Sequence, residues 1–422
     1  MNRYSSYKDS GVEFFGEIPK NWEVVRLKYL CDIGTGNRDT INKEDDGEFP
    51  FFVRSKTVEK ISSYSYDCEA ILTAGDGDIC KIWHYINGKF DCHQRVYKLN
   101  NFRRINGKFL YYFLMENFEK EVFKLSAKST VDSLRRPMFE NFNVCLPEIK
   151  IQEQIVAYLD KKTAIVDTLI TSKEEKINLL KENRTALINH TITKGLNPNV
   201  EFKDSGVEWI GEIPKHWCVG KLKNYSELRI SSIDKHIYEY ERKVIVCNYT
   251  DVYYNEFITN DLQLRIGSCS EEEYNKFKLD KGDVIITKDS ESPKDIGVPS
   301  LVSDNFENTV CGYHLSIIKP KFDKLDGGYL FRQIQSNRIR SYYEICSNGI
   351  TRFGLGKSSV LETPLIIPPL LEQQQIVEYL NTHTQEIDEL ISLELKKIET
   401  LKEYRQALIS EVVTGKIKIV ED

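Results

Sequence analysis

KDSGVEFFGEIPKNW at residues 8–22 returns as KDSGVEWIGEIPKHW at 203–217, with 12 of 15 positions identical at an offset of 195. Identity at that level means that the chain is built twice on one plan. The stretch combines Gly and Pro punctuation with aromatic anchors, Phe14, Phe15 and Trp22 in the first copy and Trp209 and Trp217 in the second. That combination predicts a folded arm pinned by its aromatic residues, with no catalytic part to play.

Outward from the arms, a second pair of segments repeats at a different spacing. IQEQIVAYLDKKTAIVDTLI begins at Ile151 and LEQQQIVEYLNTHTQEIDELI at Leu371, and the offset is now 221. Ile155, Leu159, Val166, Leu169, Ile177, Leu180 and Leu187 fall on Ile376, Leu380, Ile387, Leu390, Ile398, Leu401 and Leu408. Their steps fit a narrow helical stripe near heptad spacing, and no Gly or Pro follows until Gly195 and Gly415. Two long helices are predicted, over 151–193 and 372–414, each a rod of roughly 60 Å. Matched stripes in one chain supply each other's apolar partner, so a paired, coiled-coil-like rod is expected. Lys162, Lys173, His383 and Glu394 interrupt the stripe, as suits a helix pair with charged flanks. Arg184 in ENRTALI and Arg405 in EYRQALI hold equivalent places and are read as packing and partner-contact residues.

The globular segments between arm and helix, about 23–150 and 218–371, differ by the 26 residues that separate the two offsets. Both read as mixed α/β modules. Short apolar strands are expected at 69–72, 243–247, 283–287 and 315–318, and a helix near 109–125 has a counterpart near 329–343. KSTVDSLRR at 128–136 and GITRFGLGK at 349–357 close the modules alike, with Thr130 over Thr351 and Leu134 over Leu355. The predicted division is a first module with its arm at 1–150, a long helix at 151–195, a second module with the repeated arm at 196–371, and a second helix and tail at 372–422.

Composition bounds the function. The 422 residues are 41 % apolar and 29 % charged with 20 Phe and 23 Tyr, which excludes wholesale disorder. No apolar run approaches the roughly 18 to 20 residues of a membrane span, and MNRYSSYKDS has no apolar leader, so a soluble, cytoplasmic protein is expected. The 10 Cys show no metal spacing and read mostly as buried thiols of a reducing compartment. A net charge of −6 argues against coating nucleic acid by bulk charge, although Lys124, Lys128, Arg135 and Arg136 cluster against one acid, Asp132.

Catalytic patterns are missing. The one Pro-Pro pair, Pro368-Pro369, lacks the polar and aromatic neighbours of an adenine methyltransferase turn, and Gly356-Lys357-Ser358 has Thr351 where a P-loop needs Gly. No Pro-Asp dipeptide opens a nuclease centre, and the seven His are scattered. His93 and His314 sit in comparable parts of the modules, and Asp76 and Asp78 in AGDGD are set against the turn Lys281-Gly282-Asp283; no metal is assigned. Two differing modules on a duplicated frame suit a bivalent reader of duplex DNA, whose backbone has two-fold axes of its own. Differing fillings imply differing half-sites, separated by a rigid spacer.

The two arms, KGDVIIT at 281–287, GITRFGL at 349–355 and the junctions LPEIKIQEQIVAYL and IPPLLEQQQIVEYL, in this order and duplicated, resemble the specificity (S) subunits of type I restriction-modification systems over nearly the whole chain. In the first half, LPEIKIQEQ departs from the usual Pro-Pro-x-x-Glu-Gln junction and KSTVDSL stands for the Gly-Thr-rich turn. The resemblance implies two target recognition domains joined by two antiparallel helices that serve as a ruler. It implies double-stranded DNA, two methyltransferase subunits and, where one exists, a restriction subunit as partners. N6-adenine methylation with S-adenosylmethionine would belong to the methyltransferase subunits, leaving this chain without a cofactor and not itself an enzyme. The DNA-contact candidates are Lys128, Ser129, Thr130, Arg135 and Arg136 in the first module, and Lys288, Ser290, Lys294, Thr351, Arg352 and Lys357 in the second. The competing expectation is a non-catalytic bivalent protein-binding scaffold, which the net charge favours.

Overall fold

A computed structural model describes residues 3–125 and 133–419. They group into two compact units, Met1–Glu174 with Glu394–Asp422 and Glu175–Leu393. The long helices span Ile149–Lys194 and Leu370–Val413, so each of them contributes one end to each unit. The fold is mixed α/β, built twice.

In the first unit the arm is a hairpin of Tyr7–Asp9 on Glu17–Pro19, with Gly11 and Gly16 at positive φ and the Asp9 carboxylate accepting from the Gly11 N–H at 2.9 Å. Trp22 is fully buried beneath it. The strand leaving the arm, Glu23–Arg26, pairs antiparallel with Asn143–Leu146, which leaves the module, so the segments that repeat at 195 and at 221 are bonded to each other. Between them lies a six-stranded sheet in the order Asp32–Thr35, Val96–Asn100, Tyr66–Ala74, Trp83–Cys92, Phe49–Phe52, Glu59–Ile61, with one parallel pair, Phe49–Phe52 on Trp83–Cys92. The helix Gly107–Leu125 buries Phe109, Phe113 and Phe118 in a core that also takes Ile155 and Leu159 from the first long helix and Leu408, Ile409 and Val412 from the second.

The second unit repeats this order. Its arm pairs Phe202–Asp204 with Glu212–Pro214, Cys218–Lys221 pairs with Pro364–Ile367, and a five-stranded sheet runs Ser226–Ile230, Leu315–Pro320, Val284–Thr287, Pro299–Val302, Phe257–Ile258, with the equivalent fourth pair, here the last, again parallel. To this it adds a three-stranded sheet, Arg265–Cys269, Arg242–Cys247, Thr309–Cys311, with a separate core around Val244, Val246, Phe277 and Val310. The single helix expected near 329–343 is instead two, Gly327–Gln335 and Asn337–Cys346. Ser336 breaks it: its backbone is extended, and its hydroxyl donates to the Gln333 carbonyl at 2.6 Å and accepts from the Ile339 N–H at 3.5 Å, so the residue caps both helices.

Within each unit the helix ends run antiparallel. Arg405 bonds Asp167 at 2.9 Å and Lys173 bonds Glu394 at 2.8 Å in the first; Arg184 bonds Asp388 at 3.0 Å in the second. Arg405 and Arg184, like Asp167 and Asp388, are repeat equivalents. The seam departs from the expected stripe at one place: Leu169 and Leu390 are 45 % and 44 % exposed. Buried Thr163 and Val166, then Lys173 on Glu394 and buried Ile177, carry the four-three spacing past them.

Two contacts explain the junction motifs. Gln152 accepts from the Asn106 N–H at 2.7 Å and donates to the Pro147 and Arg104 carbonyls; Gln373 accepts from the Asp326 N–H at 2.9 Å and donates to Pro368 and Lys324. Each buried amide thus ties a module loop to the start of its helix. At the far helix ends, Gly195 and Gly415 have φ +76° and +75°, and a Cβ would stand 2.9 Å from Trp217 or 2.5 Å from Pro19. Glycine serves there both as a left-handed cap and as a seat for the arm.

Candidate nucleic-acid interface

In both modules the central strand runs out to the closure segment. Tyr66–Ala74 continues into Gly75-Asp76, where the Leu134 N–H bonds the Gly75 carbonyl at 2.7 Å and Asp76 bridges to Ser133. Val284–Thr287 continues into Lys288-Asp289, where the Leu355 N–H bonds the Lys288 carbonyl at 2.9 Å and Asp289–Ser290 pairs with Phe353–Gly354. The Gly75 and Lys288 N–H groups in turn bond the Arg95 and His314 carbonyls. Asp76 therefore matches Asp289, and Arg95 matches His314. The sequence sets AGDGD against Lys281-Gly282-Asp283; the structure corrects this, because Asp283 precedes its strand whereas Asp76 follows one. His93 and His314 do lie in comparable turns, each just before an equivalent strand, with Arg95 the residue in register with His314.

The second module gathers several of the expected contact residues. Ser290, Thr351 and Arg352 line a cleft of about 720 Å3 with Tyr249, Tyr253 and Asp289. The Tyr249 and Tyr253 rings stack at 5.7 Å, Tyr253 donates to Asp295, and that bond with burial pushes its hydroxyl up to about 12. Burial also raises Tyr249. Lys288 lies behind, 3.9 Å from Asp289 and over the Tyr313 ring, while Lys294 is exposed beside Asp295. Lys357 is exposed and does not line the cleft.

In the first module Lys128, Ser129 and Thr130 lie outside the described residues. Arg135 is exposed at the start of the helix Arg136–Glu140, and Arg136 is paired with Glu140 at 2.8 Å. The charged centre there is one that sequence reasoning missed. Arg54 and Arg95 each give one Nη1 to Asp76, at 2.8 and 3.0 Å. Burial would raise the Asp76 carboxyl, but the two arginines outweigh it and hold it below its ordinary value. Beside them His93 accepts from the Arg95 N–H at 3.0 Å through Nδ1, which places its proton on Nε2, and burial with the Arg54 charge keeps it neutral. The signal that could have found this cluster is the match of ILTAGD at 71–76 to the segment ending at Asp289.

Arg184 is committed within its unit, to Glu256 at 2.7 Å as well as to Asp388, and Arg405 to Asp167. All ten cysteines are free and seven are buried. Among the described residues no helix is long and apolar enough to cross a membrane, and no group of His, Cys, Asp and Glu is placed to hold a metal ion.

Comparison with known proteins agrees with this architecture. The type I restriction modification DNA specificity domain matches the chain twice, over residues 19–179 and 229–400, and the chain belongs to that family. It is 26 % identical over 421 residues to the type I restriction enzyme EcoDI specificity subunit of Escherichia coli, covering 95 % of this chain and 90 % of that one. With the MjaVIII specificity subunit of Methanocaldococcus jannaschii it shares 22 % identity over 95 % and 94 % of the two chains. Two solved structures share the fold at 15 % identity. One, from work on complex assembly and conformational transition of the type I R-M system, has a TM-score of 0.71 over 95 % of this chain and 99 % of that one. The other, the HsdS subunit of Thermoanaerobacter tengcongensis, has a TM-score of 0.51 over 95 % and 98 %.

Proposed function

We propose that this chain is the DNA sequence-specificity subunit of a type I restriction-modification complex, each module reading one half of an asymmetric bipartite site. The observation that carries this reading is one strand order built twice, with different side chains at equivalent closure sites. A reader of two unlike half-sites needs that combination. The paired helices set the gap and dock two methyltransferase subunits, which carry S-adenosylmethionine and methylate adenine N6, while a restriction subunit, where one exists, joins the same assembly. Leu169 and Leu390 support docking of two identical subunits, being repeat equivalents left 45 % and 44 % exposed on the two helices. Lys128, Ser129, Thr130, Arg135 and Arg136, with Lys288, Ser290, Lys294, Thr351, Arg352 and Lys357, remain the proposed DNA contacts.

The test is duplex binding by the complex of this chain with its methyltransferase partner, measured as a function of salt. Each phosphate contact contributes about −0.9 to the slope of log affinity against log salt, so a steep slope and one chain per two methyltransferase subunits are expected. The net charge of −6 and the acids Asp289, Glu291 and Asp295 around the second cleft favour the other reading, a bivalent protein-binding scaffold. A complex that binds no duplex at any salt concentration supports the scaffold.

A further inference from the structure

The closure site keeps a carboxylate in both modules, Asp76 and Asp289, and changes the base that it holds. Asp76 bears two guanidinium groups, Arg54 at 2.8 Å and Arg95 at 3.0 Å, whereas Asp289 bears the His314 imidazole, with Nδ1 at 2.5 Å. On a duplicated frame, the position where the chemistry diverges while its support is retained is where two readers would differ.

We propose that Arg54 and Arg95, held on Asp76, are the guanine-reading residues of the first module, and that His314 on Asp289 is their counterpart with a different base preference. This rests on the reading of the chain as a bipartite DNA reader. Three features of the site carry it. Each arginine uses only Nη1 on Asp76, so Nε and Nη2, the two donors of a side-on fork, have no acceptor among the described residues. That fork matches the O6 and N7 acceptors of guanine in the major groove. The side chains are 40 % and 62 % exposed while Asp76 is only 22 % exposed, so the carboxylate braces them from behind and reduces the ordering that binding would otherwise require. Finally, a carboxylate beside an arginine repels a phosphate but not the neutral edge of a base, which favours readout over backbone positioning. His314, with one nitrogen committed to Asp289, has a single ring nitrogen left and cannot form such a fork.

The experiment uses the full chain with its methyltransferase partner. The methylated motif is mapped by long-read sequencing for the native chain, Arg54→Lys, Arg95→Lys and His314→Ala. Relative affinities are measured for duplexes changed one base pair at a time. Lysine keeps the charge and loses the fork. Each arginine variant is expected to lose roughly ten- to hundredfold discrimination at one G·C position of one half-site, with the salt slope and the other half-site unchanged. His314→Ala is expected to relax the opposite half-site. Retention of full guanine preference in both lysine variants, or a uniform loss of affinity at every position with the preference intact, overturns the proposal. A native complex that methylates no bipartite motif defeats the underlying functional reading instead, so the two failures are distinguishable.

Discussion

In the first module a sixth strand, Glu59–Ile61, extends the sheet edge; in the second, added chain forms a separate three-stranded sheet that shares a second core with Ile285 and Ile317 of the five-stranded one. Several contacts to the long helices are kept. The Gln152 and Gln373 anchors, the Gly415 and Gly195 seats and the Arg405–Asp167 and Arg184–Asp388 pairs recur, whereas the closure site exchanges arginines for histidine. The difference teaches that the helix-facing side of each module is fixed by what it packs on, while the far side is free to change chemistry.

If the frames are equivalent, breaking the same anchor in each should have the same cost. Gln152→Leu and Gln373→Leu each leave one buried N–H and two carbonyls unpaired, and each should destabilise its own unit by about 3 kcal/mol, read by hydrogen exchange of that unit. Unequal losses would break the equivalence.

The next effect belongs to the first unit. Burial lifts the Glu116 carboxyl to about 7, against the opposing pull of Lys120 and a bond with Gln406. The folded chain thus keeps a proton that the unfolded chain releases near its ordinary value of about 4.3. The stability contributed is fully present at acid pH and is lost as pH rises toward 7, on the order of 2 kcal/mol. Glu116→Gln should flatten that dependence in pH-dependent denaturant melts.

A smaller effect should change sign between the units. Trp217 donates to Glu372 at 2.9 Å, but the equivalent of Glu372 is Ile151, and Trp22 Nε1 is buried without a partner among the described residues. Ile151→Glu should therefore raise stability by about 1 kcal/mol and Glu372→Ile should lower it by a similar amount, as midpoint shifts in urea. The smallest effect is expected at Arg405, whose partner Asp167 is 54 % exposed: Arg405→Ala should cost under about 1 kcal/mol, and less than Arg184→Ala, because Arg184 bonds two carboxylates.

The Ile151 departure shows how much was legible. A junction residue that broke the family pattern in sequence, Ile151, stands where Trp22 would need the acceptor that Glu372 gives Trp217. The arms and the long helices were equally readable, because near-identity at fixed offsets and a four-three apolar period are local signals; of the closures, the match of Leu134 to Leu355 holds, while 128–132 lie outside the described residues. What escaped depends on partners distant in sequence. The outward turn of Leu169 follows from the Lys173–Glu394 contact, the helix break from the Ser336 cap, and the Arg54–Asp76–Arg95 cluster from the register of three separate segments. Of the expected contacts, Ser290, Thr351 and Arg352 are brought together, while Lys357 stands outside their cleft.

The claim that two unlike modules on one frame read two unlike half-sites is tested most directly by mapping N6-methyladenine genome-wide in the native host and in a strain lacking only this gene. Loss of methylation at one asymmetric split motif, with a fixed gap and an adenine on each strand, is the predicted result. Matching methylomes in the two strains, with the methyltransferase partner expressed, would contradict it.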